Sequence, residues 1–215
     1  VRWLAALWEG LRRFLRVMSH NKTGFLGFLI FVSFLLLAYI GPLFVPEVMK
    51  ADVTAIYAPP SREHIFGTDS QGKDIFAQIV HGGRDIIQMA LLTGILSTFI
   101  GVTLGSLSAV IGGRFDALLT TAADIWLTIP RFPLLAVLAT LIQLQDLLAL
   151  ALLLALLSWA GLYRSIRAQV FSIKERDYVE AAVSLDLGLR HIIFSEILPN
   201  MMAYIAMNFT IGMTS

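Results

Sequence analysis

The amino-acid sequence predicts an all-α membrane protein, a polytopic helical bundle with four complete spans and the start of a fifth. Three observations predict it. Of 215 residues, 57% are hydrophobic and 14% are charged, where a soluble domain carries about 25% charged residues; mean hydropathy is +0.78. The apolar residues are gathered into uncharged runs long enough to cross a bilayer. Lys and Arg are segregated along the chain rather than mixed. The net charge of +1 argues against a nucleic-acid partner, and the lack of cysteine removes disulfides and thiolate metal sites.

Residues 24–45 form the first uncharged run. At 1.5 Å per residue it reaches roughly 33 Å, enough for a hydrocarbon core of about 30 Å. Residues 86–111 form the second. Residues 117–144 form the third, interrupted by Asp124, Arg131, Pro130 and Pro133. The prolines predict a bend, because each lacks a backbone donor. Residues 147–163 form the fourth. A fifth begins near Pro199 and is still apolar at Ser215, so the sequence is expected to be part of a longer protein.

Orientation follows from the cations, since cytoplasmic segments collect Lys and Arg. Arg2, Arg12, Arg13, Arg16, Lys22, Arg114, Arg164, Arg167, Lys174, Arg176 and Arg190 fall on one side; Lys50, Arg62, Lys73 and Arg84 fall on the other. The N-terminus is therefore expected in the cytoplasm, residues 46–85 form an extracytoplasmic loop, and 164–198 form a cytoplasmic one. Within residues 1–23, Trp3, Leu4, Leu7, Trp8, Leu11, Phe14, Leu15 and Met18 recur at helical spacing opposite Arg12, Arg13 and Arg16. That pattern predicts an amphipathic helix lying on the cytoplasmic face of the bilayer.

Few residues point to chemistry. Gly67 to Asp74, GTDSQGKD, nearly matches a phosphate loop, but Asp74 stands where a hydroxyl would bind magnesium, and no strand precedes it. The four histidines are scattered without ligand spacing, and no nucleophile–base pair can be argued. No catalytic residue, metal site or bound cofactor is expected. Gly101 and Gly105 make a G-x-x-x-G face on the second span, suited to close helix packing. Asp124 and Arg131 are intramembrane charges, which are costly and usually face protein or a water-filled cavity, so they are candidates to line a pathway. The cytoplasmic segment is helix-forming around Tyr178, Glu180, Ala181 and Ala182, and the two alanines give it a flat patch on which a partner could seat. Ala182→Glu is expected to break that seat.

These residues resemble the inner-membrane permease family of binding-protein-dependent ABC importers, and within it the C-type subunit of dipeptide, oligopeptide and nickel permeases. The family pattern E-A-A-x3-G-x9-I-x-L-P is similar to Glu180, Ala181, Ala182, Leu198 and Pro199, with Asp186 at the glycine, Gly188 two residues on, and Glu196 at the isoleucine. The subfamily pattern H-x-x-G-T-D-x-x-G-R-D is similar to His64, Gly67, Thr68, Asp69, Gly72, Lys73 and Asp74. Gly82, Gly83 and Arg84 resemble the opening of the second span, and Gly112, Gly113 and Asp116 the turn after it.

The resemblance implies a type I importer permease of the MetI-like kind, with residues 86–215 as its transmembrane domain and 164–198 as the loop that couples to the ATPase. It implies a second homologous permease subunit, two cytoplasmic ATPase subunits that bind ATP and Mg, and an extracytoplasmic solute-binding protein. It implies alternating access for a peptide, an oligosaccharide or nickel. An ion-gradient-driven secondary transporter is the alternative.

Overall fold

The computed structural model describes residues 19–46, 52–141 and 146–214. The amphipathic helix expected over 1–18 lies outside them. Four helices in the described residues are long and apolar enough to cross a membrane: Lys22–Leu43, Ile75–Ile111, Leu147–Lys174 and Leu189–Gly212. A fifth candidate is a bent pair, Gly113–Thr128 with Arg131–Leu138, which turns by 78°. The chain divides into two compact units, Val1–Ile86 and Ile87–Ser215.

Helix α1, Lys22–Ile40, starts where the Asn21 side chain accepts the Gly24 amide at 3.0 Å, which satisfies one of the unpaired donors of a helix start. It is apolar all round and mostly exposed in the chain. One small residue is the exception: Ala38 is 3% exposed, and a Cβ on Gly83 would stand 3.2 Å from its methyl.

Helix α2, Ile75–Ile111, begins eleven residues before the uncharged run that predicted it. Asp74 caps it, accepting the Ala77 amide at 2.9 Å. His81, Arg84 and Asp85 ended the apolar run but not the helix, because backbone bonding is indifferent to exposed charge. The connection from α1 is accordingly shorter than residues 46–85.

Helix α3, Gly113–Thr128, is followed by Ile129 in extended conformation and Pro130. A residue before proline is pushed out of the helical region. Helix α4, Arg131–Leu141, then starts afresh. Pro133 sits in its first turn, where a missing donor costs nothing. The two prolines thus break the third span rather than kink a continuous helix.

Helix α5, Leu147–Lys174, is capped by Asp146, which accepts the amides of Leu148 and Ala149 at 3.4 and 3.3 Å. It runs well past the predicted end at 163. Tyr163, Ile166, Val170 and Ile173 continue one buried stripe through the charged stretch. Gly101 and Gly105 of α2 meet this helix. A Cβ at Gly101 would lie 2.6 Å from Leu162 Cγ, and one at Gly105 would lie 3.0 Å from both Ile166 Cβ and the Tyr163 carbonyl oxygen. The G-x-x-x-G face is therefore the seat of α5.

A short helix, α6, Asp177–Ser184, leads to α7, Leu189–Gly212. Helix α7 opens with one α-helical turn, widens to π-helix over Ile192–Ile197 and tightens to a 3-10 turn over Leu198–Met201, before resuming as α-helix. Pro199 lies in this irregular part, in the first residues of the 3-10 turn, where its missing N–H is tolerated as it would not be inside a regular α-helix. The fifth span therefore starts ten residues earlier than Pro199. The core of the second unit joins Ala109 of α2, Ile166, Val170 and Ile173 of α5, Val179 of α6 and Ile197 of α7.

Candidate functional site

The residues singled out in the sequence fall into three groups. The first is the α1–α2 connection. Gly67 and Gly72 have φ +73° and +74°, a left-handed conformation that glycine adopts without penalty. Both also stand hard against the backbone of residues 52–58. A Cβ on Gly67 would lie 2.4 Å from the Ala58 carbonyl oxygen, and one on Gly72 would lie 1.8 Å from that of Asp52. Thr68 is buried; its hydroxyl accepts the Ala58 amide at 2.8 Å and donates to the Ala55 carbonyl.

Asp69 closes the turn. Its Oδ1 accepts the amides of Gln71 and Lys73 at 2.7 and 3.0 Å, its Oδ2 accepts the Gln78 side chain at 2.9 Å, and its carbonyl accepts the Gly72 amide. The Gln71 and Lys73 amides are thus committed to the Asp69 carboxylate, and that of Gly72 to its carbonyl. Asp74 caps α2 with one oxygen and meets His64 Nδ1 with the other at 2.8 Å. Burial pushes its carboxyl up, but the Ala77 amide and His64 outweigh that and hold it below the usual value of 3.8. A depressed carboxyl stabilises the fold above its unfolded value, so this support is lost as pH falls through the folded one. Each motif residue except Lys73 therefore has a structural task through its side chain or its conformation. Among the described residues Lys73 takes part through its backbone, its carbonyl accepting the Asp69 amide at 3.0 Å.

The second group is α6 and its turn. Val179 and Ala182 face inward, 0% and 5% exposed, and Val179 belongs to the core with Ile173 and Ile197. Glu180 and Ala181 are exposed, as are Tyr178 and Leu185 at 41% and 72%. Tyr178, Ala181 and Leu185 recur at i, i+3, i+7 and so share a face. The flat patch read from Ala181 and Ala182 is corrected here: only Ala181 is outward, because two successive helical residues point about 100° apart. Ala182→Glu would place a carboxylate in the core, and it reports on folding rather than on docking.

The helix ends in a Schellman closure. The Asp186 amide donates to the Val183 carbonyl at 3.0 Å and the Leu187 amide to that of Ala182 at 3.1 Å. That closure needs a left-handed residue, and Asp186 supplies it with φ +53°. Asp186 stands where the resembling family has glycine, so the position explains the glycine and aspartate fills it at some cost. Gly188 has φ −56° and nothing within 4 Å of an added Cβ; it does not replace the missing glycine. Asp186→Gly is expected to raise the unfolding midpoint of the detergent-purified chain, by roughly 0.5–1 kcal/mol, while Gly188→Ala leaves it unchanged. A lower midpoint for Asp186→Gly would show that the aspartate side chain matters more than the backbone. Glu196, at the family isoleucine, sits at the rim 3.2 Å from His191, while the widened turn brings Ile197 to full burial.

The third group is the intramembrane charges. Asp124 of α3 lies 3.5 Å from Arg164 of α5, both side chains more than half exposed. Arg131, at the α3–α4 break, donates through Nε to the Leu157 carbonyl at 3.2 Å. The structure does not bring the two together.

A buried polar network went unrecognised in the sequence. Arg167 of α5 holds Asp116 of α3 in a two-pronged pair, at 2.5 and 2.6 Å. Ser108 of α2 donates to the same carboxylate at 2.5 Å and meets the Tyr163 hydroxyl at 2.7 Å; Thr120 meets that hydroxyl at 3.0 Å. Lys174 donates to the carbonyls of Ala109 and Val110 at the end of α2, where cations favour the helix dipole. Three helices are thereby joined just beside α6. Asp116 was visible in the turn pattern; its partner, 51 residues away, was not.

Residues 101–215 match the family described as binding-protein-dependent transport system inner membrane component. Residues 10–60 match the N-terminal transmembrane domain of oligopeptide transport permease C. The oligopeptide transport system permease protein OppC of Bacillus subtilis is 31% identical over 197 residues, covering 89% of this chain and 63% of its own. OppC of Haemophilus influenzae is 31% identical over 209 residues, covering 94% and 64%. The dipeptide transport system permease protein DppC of Bacillus subtilis is 29% identical over 197 residues, covering 91% and 61%. The chain thus spans a little over three fifths of the length of these relatives. With both patterns on elements built around their residues, and these matches along most of its length, the chain belongs to the inner-membrane components of binding-protein-dependent transport systems, and it is similar to their C-type dipeptide and oligopeptide permease subunits.

Proposed function

We propose that this chain is the non-catalytic permease subunit of an ATP-driven importer for peptides, working by alternating access in the cytoplasmic membrane. In this reading the N-terminus and α6 are cytoplasmic. The partners are a second homologous permease, two ATPase subunits that carry ATP and Mg, and an extracytoplasmic solute-binding protein. The observation that carries it is α6. It is a short helix with an exposed face of Tyr178, Ala181 and Leu185, closed at Asp186, with Ala182 buried and Val179 in the core shared with α2, α5 and α7. A force applied to its outer face passes into three spans through packed side chains. The names of the relatives favour peptide over oligosaccharide or nickel.

The test uses Ala181→Glu, which changes the outer face and leaves the core alone. An added carboxylate desolvated at a docking surface costs a few kcal/mol. Recovery of the ATPases in a pull-down is expected to fall at least tenfold, and uptake with it, while the permease still inserts. Normal recovery with normal uptake would remove the coupling role of α6.

A further inference from the structure

We infer that Arg131 forms an anion subsite inside the membrane, fitted to the terminal carboxylate of a peptide with an apolar side chain beside it; this rests on the importer reading above. Arg131 stands where the third span breaks, and a 78° bend separates α3 from α4. Irregular backbone at membrane depth is tolerated where it is buried in protein or lines a water-filled cavity. A cavity of about 340 Å³ opens there, with Ser97, Arg131, Ser158, Ser165 and Asn208 as its polar lining. It draws on α2, α5 and α7 as well as on the break. A second cavity of about 170 Å³ shares Arg131 and Ser158, and its other walls are Phe132, Leu135, Leu154 and Leu157. Both cavities are mostly apolar, the larger one with four polar side chains besides Arg131, and Arg131 lines both.

The polar lining is fixed. Ser97, Ser158 and Ser165 donate to carbonyls of their own helices, those of Gly94, Leu154 and Gly161, and Asn208 donates to that of Tyr204. Their oxygens remain as acceptors. Arg131 differs. Its Nε is spent on Leu157, but no carboxylate lies within ion-pair distance of it among the described residues. The Leu157 bond holds the planar group in place and leaves its two terminal nitrogens to donate. A guanidinium so presented matches a carboxylate two bonds at a time. A cation in a membrane bundle is costly without a partner or water, and a carboxylate ligand would supply the partner in transit. The adjoining walls of Phe132, Leu135, Leu154 and Leu157 take the neighbouring side chain.

The chain has no native cysteine, so Ser158→Cys gives a single reactive thiol in the subsite. In the assembled complex, its modification by a sulfonate-bearing methanethiosulfonate is compared with that by a trimethylammonium-bearing one. Arg131→Gln is expected to lower the anion-to-cation rate ratio at least fivefold, and Arg131→Lys to keep it. Millimolar trialanine is expected to slow modification, and trialanine amide to leave it unchanged. A ratio indifferent to Arg131→Gln overturns the anion subsite. Equal protection by acid and amide, or by neither, overturns the carboxylate assignment. These rates do not depend on turnover. A complex without ATP-dependent peptide uptake that still shows the ratio change would sink the importer reading and spare the subsite.

Discussion

Arg167→Leu is expected to lower the stability of the purified chain by about 3 kcal/mol, roughly a hundredfold in the folding equilibrium. Removing the guanidinium leaves Asp116 with one hydroxyl donor, Ser108, in a pocket where its side chain is 14% exposed. Breaking one half of a buried pair costs more than the pair contributes, because the remaining charge has lost its solvation and gained no partner. The loss spreads further. Asp116 orients Ser108, which meets the Tyr163 hydroxyl in the layer of Ala123 and Ala160, and Arg167 also covers the Phe171 ring at 4.7 Å. Asp116→Leu combined with Arg167→Leu is expected to recover at least half of the loss, since two apolar groups leave no orphaned charge. The measurement is the unfolding midpoint in detergent across the two single variants and the double. Purely additive losses would show that the two side chains act separately, against the geometry of the pair.

Gly72→Ala is expected to disrupt the α1–α2 connection, with a cost of at least 2–3 kcal/mol in whatever cooperative unit that segment joins. Two independent effects add. The residue has φ +74°, which an alanine adopts with difficulty. Its Cβ would also lie 1.8 Å from the Asp52 carbonyl oxygen and 2.7 Å from the carbonyl carbon. Backbone cannot step aside as a side-chain tip can, so the turn or residues 52–58 must move. The Tyr57 amide, bonded to the Asp69 carbonyl at 3.2 Å, and the Thr68 pairing with Ala58 would go with them. Limited proteolysis of the purified protein should cut between residues 52 and 74 at least tenfold faster in the variant. Lys73→Ala serves as the control. In that turn Lys73 bonds through its backbone, which alanine supplies equally, so it should be cut like wild type. Equal rates for Gly72→Ala and wild type would mean that the turn tolerates a left-handed alanine and a shifted Asp52.

Much of the architecture could be read directly from the residues, and the misreadings share a cause. Hydropathy sums transfer free energy along a window, so it finds where a chain is apolar; it is blind to where a helix ends. Helix α2 begins at Ile75 and α5 ends at Lys174 because Asp74 supplies a cap and because charges such as Arg84 and Arg167 do not interrupt backbone bonding. The left-handed turn after α6 was foreshadowed by a glycine position in the family pattern, although the residue there is Asp186. Local chemistry of this kind is legible because its donors and acceptors lie within a few residues. Ala181 and Ala182 were not separable, since which of two neighbours is buried depends on the surface that the rest of the chain presents to α6.

The sequence alone therefore determined the all-helical membrane class, the positions of the apolar runs, a bend at Pro130 and Pro133 and the two family patterns. Each of these is set by side-chain hydropathy or by backbone restrictions acting over one or two turns. Tertiary structure decided that Arg167 answers Asp116, that Gly101 and Gly105 receive α5, that Ala182 is core and Ala181 surface, and that Arg131 lines a cavity shared by α2, α5 and α7. Those facts depend on distances between residues far apart in the chain. Coulombic attraction, close packing and desolvation act through space at a few ångströms, and a linear pattern carries no record of which remote groups come that near.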